Sequence, residues 1–221
     1  MIDESQLSEM IKEAKATDKE RKFKQALELI IVFKDIDVKK GFSLNETIQL
    51  PKQTSSPASV CVIASGDLGL KAKNAKADKV IDSDGLNKLG SNKRESRKFI
   101  NSYDFFIADT KIMPTVGKIL GQLLGPRGKM PTPVPFDAPI ESFLQRFRSS
   151  IRARVKGSLS LSCKIGDETM EDADLAANAH AVITAIEKKL PNGDKNIKRT
   201  LVKTTMGKPI KEQILVKKKN A

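Results

Sequence analysis

The sequence predicts a two-domain protein of mixed class: an α+β open-sheet domain built from both chain ends, and an α/β domain inserted between them. Three observations carry this. Strand-like alternation recurs near both ends, short apolar strands alternate with helical stretches in the middle, and a small polar run, Lys52-Gln-Thr-Ser-Ser-Pro-Ala-Ser59, separates the two patterns. The boundaries that follow are 1–59 with 151–221 for the end-built domain and 60–150 for the insertion.

At the amino end, Leu7, Met10, Ile11 and Ala14 fall at helical spacing and predict a helix from about Ser5 to Thr17. Leu27, Leu29 and Ile31 then alternate with Glu28 and Ile30, so Gln25 to Lys34 reads as a strand. A loop containing Lys39-Lys-Gly41 leads to a second alternating strand, Asn45 to Pro51. Beyond the polar run, Val60 to Ala64, Lys79 to Asp82 and Tyr103 to Ala108 are short strands. They are separated by a helical stretch from Asp67 to Ala75, a segment from Asp84 to Leu89 and a charged helix from Lys93 to Asn101. Strands joined through helices form a parallel sheet, so the insertion is Rossmann-like.

Pro114 opens a further helix, and Pro139 to Arg148 forms another. Between them, Gly125 to Pro135 holds two glycines and four prolines, which predicts an irregular loop with Gly125 in the left-handed position at the helix end. After a second crossing near Ser150, Ile151 to Lys156 and Ser158 to Ile165 alternate as strands. A helix from Asp172 to Lys189 carries Leu175, Ala179, Val182, Ile183 and Ile186, and Leu201 to Gly207 is a strand entering a turn.

The chain has 40 Lys and Arg against 27 Asp and Glu, a formal net charge of +13. Residues 1–59 are balanced, ten against ten, whereas 60–150 carry 15 against nine and 151–221 carry 15 against eight. A field of that size favours a polyanion, because each phosphate neutralised by Lys or Arg releases a condensed counterion. Cys61 sits in an apolar strand and Cys163 in an alternating one, which suits a reducing cytosol rather than a disulfide framework. The amino terminus lacks the features of a signal peptide, and no apolar run approaches the length of a membrane span.

Gly128-Lys129 resembles the end of a Walker A motif, but Leu123 stands where its first glycine belongs and Met130 where Ser or Thr belongs. Ser65-Gly66-Asp67-Leu68-Gly69 occupies the place of a dinucleotide fingerprint, yet Ala64 replaces the first glycine and Asp67 puts negative charge near the pyrophosphate. Asp82 and Asp84 are candidates for the ribose-binding acid. His180 is the one histidine, so no cage of histidines exists, and Asp104 and Asp109 flank a strand without the marks of an acid and base pair.

Thr204-Thr205-Met206-Gly207-Lys208-Pro209 differs in kind. Glycine admits a backbone to contact with ribose or phosphate, and threonine can bond the 2′-hydroxyl that distinguishes RNA from DNA. Lys22-Phe23 adds a cation beside a stackable ring. The open alternatives are a nucleotide-dependent α/β enzyme using Gly66 to Gly69 and Lys129, and a DNA-binding regulator.

Leu124-Gly-Pro-Arg-Gly-Lys-Met-Pro-Thr-Pro133 and Thr204-Thr-Met-Gly207, supported by Thr47 to Pro51 and Asp104 to Ala108, resemble the L-one family of large-subunit ribosomal proteins, found at the mobile stalk. The resemblance runs over essentially the whole chain, and Lys129 with Lys93-Arg94 looks like archaeal or eukaryotic members. It implies that Phe23, Glu28, Gly166, Thr205, Met206 and Gly207 face RNA, with Lys22 beside them. It also implies a cytoplasmic, ribosomal protein without catalysis, cofactor or metal, monomeric when free. The implied partners are large-subunit ribosomal RNA, exit-site tRNA during release of the deacylated form, and the protein's own messenger RNA, which it represses. The chain departs from the family at Lys208, which intervenes where proline commonly follows the Thr-Met-Gly turn.

Overall fold

The computed structural model describes residues 3–19, 21–36, 42–136, 138–155 and 157–211. The expected loop at Lys39 to Gly41 and the strand end at Lys156 lie outside the described residues. In chain order the elements are α1 (Glu4–Ala16), β1 (Ala26–Phe33), β2 (Leu44–Gln49), β3 (Val60–Ile63), α2 (Gly66–Asn74), β4 (Lys79–Ile81), α3 (Ser83–Ser91), α4 (Lys93–Ser102) and β5 (Phe105–Asp109). There follow α5 (Met113–Arg127), β6 (Thr132–Val134), α6 (Ile140–Arg148), β7 (Ser150–Val155), β8 (Ser160–Asp167), α7 (Asp172–Glu187), β9 (Ile197–Thr204) and β10 (Ile210–Lys211). The mixed fold class read from the sequence holds, with one antiparallel and one parallel four-stranded sheet. The chain divides into two compact units, Met1–Ser56 with Ile151–Ala221, and Pro57–Ser150.

In the end-built unit the sheet order is β10-β9-β1-β8, and β2 pairs with β7 in a separate two-stranded sheet. Alternation along β1 turns Leu27, Leu29, Ile31 and Phe33 into a core that also takes Leu7 and Ile11 of α1 and Leu175, Ala179 and Val182 of α7. Each such aliphatic side chain contributes roughly 1.5–3 kcal/mol by leaving water. Both neighbours of β1 come from the far end of the chain. The polar run after β2 is no free tether. Buried Asn178 bonds the amide and carbonyl of Lys52 (2.9 and 3.0 Å), Ser55 bonds Asp167 (2.9 Å) and Lys164 bonds Ser56 (2.5 Å).

In the inserted unit β4-β3-β5-β6 is wholly parallel. β3 and β5 are buried on both faces, as apolar runs in such sheets are. One face packs residues of α2 and α6, including Leu68, Leu144 and Phe147, and the other packs Leu86, Ile100 and Leu120 of α3, α4 and α5.

The expected loop from Gly125 to Pro135 is corrected by the structure. α5 runs on through Gly125 and Pro126 to Arg127, and Gly128 (φ 68°) rather than Gly125 takes the left-handed cap. The residue before a proline normally avoids helix because its Cβ meets the ring, and Gly125 has no Cβ. Thr132 to Val134 is then a strand despite Pro133, which is tolerated because β6 lies at the sheet edge. β9 also starts at Ile197, earlier than Leu201.

Lys129 has a structural task. Its ammonium donates to the carbonyls of Ile100 (3.1 Å) and Tyr103 (2.5 Å), which serves the free carbonyls at the end of α4. Lys129→Met keeps the aliphatic stem but removes both bonds. It is expected to lower the unfolding free energy of the inserted unit by roughly 1–2 kcal/mol in urea titration, with the helical content retained.

Candidate nucleic-acid interface

Three strand ends meet at one rim of the end-built sheet. Leu27 pairs with Thr204 of β9 on one side and with Gly166 of β8 on the other, so the start of β1 lies between two carboxyl ends. This register brings Gly166 and the Thr205 to Gly207 turn to the beginning of β1, where Glu28 sits. Lys22 and Phe23 lie in the segment leading into that strand.

The turn is bonded to β1 at each step. The Thr205 amide donates to the Ala26 carbonyl (2.9 Å), the Ala26 amide donates to Thr205 Oγ1 (3.1 Å), and the Thr205 hydroxyl donates back to the Ala26 carbonyl (3.2 Å). The Met206 amide donates to Gln25 Oε1 (3.1 Å), and Gln25 in turn donates to Asp18 Oδ2 (2.6 Å). Thr204 donates its hydroxyl to the same Asp18 oxygen. A Cβ on Gly207 would lie 2.1 Å from Thr204 Oγ1, so only glycine fits against this pair.

With its backbone held in this way, the turn leaves Met206 58% exposed, and Phe23 is 52% exposed. Lys22, Lys24 and Lys208 are exposed cations in the same segments. Glu28 is half-buried and stands in register between Lys203 and Lys164, an arrangement of opposite charge across neighbouring strands. Gly166 is buried beside a β-bulge, and a Cβ there would lie 2.3 Å from Leu175 Cδ2. Its small size is therefore needed for packing under the sheet.

Asp18 and Gln25 support this turn and carry no mark in the sequence. The Thr204 hydroxyl holds the Asp18 carboxyl below its usual 3.8, with further help from Lys19 and Gln25 against the opposing effect of burial. Burial likewise works to raise Asp167, but Lys164 (2.6 Å) and Ser55 outweigh it and lower its pKa. Both carboxylates therefore contribute stability that is complete above their unfolded value near 3.8 and is lost as pH falls through the depressed native values. Thermal melts of the full chain are expected to be flat in this respect above about pH 5 and to fall below about pH 4, less steeply in Asp18→Asn.

The remaining candidates are occupied elsewhere. Asp82 caps α3 by accepting from the Gly85 amide (2.8 Å). Asp104 accepts two bonds from Ser59 (both 3.0 Å), and buried Asp109 accepts from the Lys111 amide (3.0 Å). Arg127 folds back onto the Leu123 carbonyl of its own helix (3.1 Å). Burial pushes the thiols of Cys61 and Cys163 up to about 12, which leaves them unreactive at neutral pH. His180 is partly exposed, 3.7 Å from Glu4. Among the described residues no group of three His, Cys, Asp or Glu side chains could hold a metal, and no helix is long and apolar enough to cross a membrane.

A model of the ribosomal protein L1p/L10e family matches residues 11–208. The large ribosomal subunit protein uL1 of the archaeon Cenarchaeum symbiosum is 69% identical over 212 residues, 96% of this chain and 98% of its own length. Those of Thermofilum pendens and Methanothermobacter thermautotrophicus are 46% and 40% identical, covering 93% and 92% of this chain and 92% and 97% of their own. These relatives are named as ribosomal proteins and not as enzymes, which removes the enzymatic alternative. With the family model spanning both units and an archaeal relative similar from end to end, the chain belongs to the ribosomal protein L1p/L10e family.

Proposed function

We propose that this chain is a structural protein of the large ribosomal subunit, binding ribosomal RNA through the rim of the end-built unit, 1–59 with 151–221. The observation that carries the reading is the Thr205 to Gly207 turn, bonded at every step to its own protein while Met206 and nearby Phe23 remain open to solvent. Recognition is then a matter of shape. The two apolar side chains exclude water, Gly207 lets an RNA backbone come close, and the surrounding lysines supply the salt-dependent part of the affinity. A hydroxyl oxygen has one donor and two acceptor positions. Ala26 uses the donor and one acceptor of Thr205, so the second acceptor is available to a ribose 2′-hydroxyl.

On this reading the protein works at the ribosome in the cytoplasm, is monomeric when free, contributes at the mobile stalk to release of deacylated exit-site tRNA, and represses its own messenger RNA through a structure like its ribosomal target. The test is binding of the full chain to a structured large-subunit RNA segment and to DNA of the same sequence, from 50 to 200 mM salt. RNA should be preferred, and six to ten phosphate contacts would lower affinity by roughly three to five orders of magnitude across that range. Thr205→Ser should retain binding and Thr205→Val should lose about tenfold. A flat salt response, or equal affinity for DNA, would overturn the assignment.

A further inference from the structure

We propose that the inserted unit carries a separate stacking site for an unpaired RNA base, centred on Phe136. Its ring is 40% exposed just beyond the carboxyl end of β6. The ammonium groups of Lys71 on α2 and Lys111 after β5 each lie 5.6 Å from the ring centroid. An ammonium is attracted to an aromatic face out to about 6 Å, so both contacts are loose ones, and the lysines are free to swing off the ring. Two cations drawn to one exposed ring repel each other, and no described carboxylate pairs with either of them. A single-stranded nucleic acid relieves this arrangement: a base covers the ring, and the phosphates on either side of it take the ammonium groups.

The position in the sheet points the same way. From β3 the chain passes to β4 on one side and then to β5 and β6 on the other, so the winding reverses at β3. Open parallel sheets take ligands outside the carboxyl ends of their strands at such a reversal. Lys111 follows the carboxyl end of β5, the strand beside the reversal, and Phe136 follows that of the neighbouring edge strand β6. Stacking is indifferent to base identity because every base has a π-face, so the site selects unpaired strand over duplex and not one sequence over another. It does not rest on the turn in the end-built unit.

The chain has no tryptophan, so Phe136→Trp places a single indole at the site. Its emission should be quenched saturably by an eight-nucleotide oligouridylate and left unchanged by an RNA duplex of equal length. Phe136→Ala should weaken oligouridylate binding about tenfold, and Lys71→Gln and Lys111→Gln should each lower the salt slope by about 0.7. Thr205→Val should leave the quenching as it is, which separates this site from the rim. Absent quenching, equal quenching by duplex, or full oligouridylate affinity in Phe136→Ala would overturn the proposal; the ring is exposed, and a melting curve verifies that each variant is folded.

Discussion

Gly166→Val is expected to destabilise the end-built unit by about 2–3 kcal/mol, seen as a lower midpoint in urea with an unchanged slope. The new Cβ would lie 2.3 Å from Leu175 Cδ2 and 2.8 Å from Met170 Sδ. Leu175 is fully buried on α7 within the main core, so it has nowhere to retreat without displacing its neighbours. Met170 is only partly buried and can move, and β8 is an edge strand that can bend, which limits the loss to the range of ordinary overpacking. Gly166→Ala should show a smaller loss of the same kind. An unchanged midpoint in both variants would mean that glycine is needed here for a ligand and not for packing.

Gly207→Val is expected to act mainly on binding, lowering affinity for the structured ribosomal RNA segment by at least tenfold with only a small fall in the urea midpoint. Its Cβ would sit 2.1 Å from Thr204 Oγ1 and 3.4 Å from Asp18 Oδ2, so the Thr204 hydroxyl must leave the carboxylate. The turn then loses one of its two ties to the segment ahead of β1, the Met206 bond to Gln25 remaining, and the Asp18 pKa should rise towards 3.8, a change that NMR titration of the carboxyl reads directly. No apolar core residue is displaced, so the fall in global stability is limited to the loss of the Thr204 to Asp18 bond. Full RNA affinity with a relaxed Asp18 would show that the turn does not face RNA.

Much of this fold can be read locally. Leu27, Leu29 and Ile31 declare the inner face of β1 through a period of two, and the short apolar runs at Val60 and Phe105 declare strands buried on both faces. Gly125-Pro126 misleads because the rule that proline ends helices is softened when the preceding residue has no Cβ, a cancellation between two neighbours that composition does not reveal. The rim is harder still. Thr205, Met206 and Gly207 are legible as residue types suited to RNA, but the bond that orders them joins Thr204 to Asp18 across 186 positions, and Gln25 enters only once β1 has been paired with β9. Gly166 shows the converse, since its need for smallness is visible only when α7 lies beneath it.

The placement of β1 between β8 and β9 has a consequence for how the protein is made. A nascent chain holds the apolar strand from Ala26 to Phe33 long before either partner exists, since β8 begins only at Ser160. At elongation rates of 5–20 residues per second, the roughly 130 residues between them take on the order of 6–25 seconds to appear. The inserted unit is contiguous from Pro57 to Ser150 and is complete within that interval, so synthesis order favours its folding first. During the wait both edges of β1 are open to pairing with other chains, and the newborn protein is at its most aggregation-prone before its last seventy residues emerge.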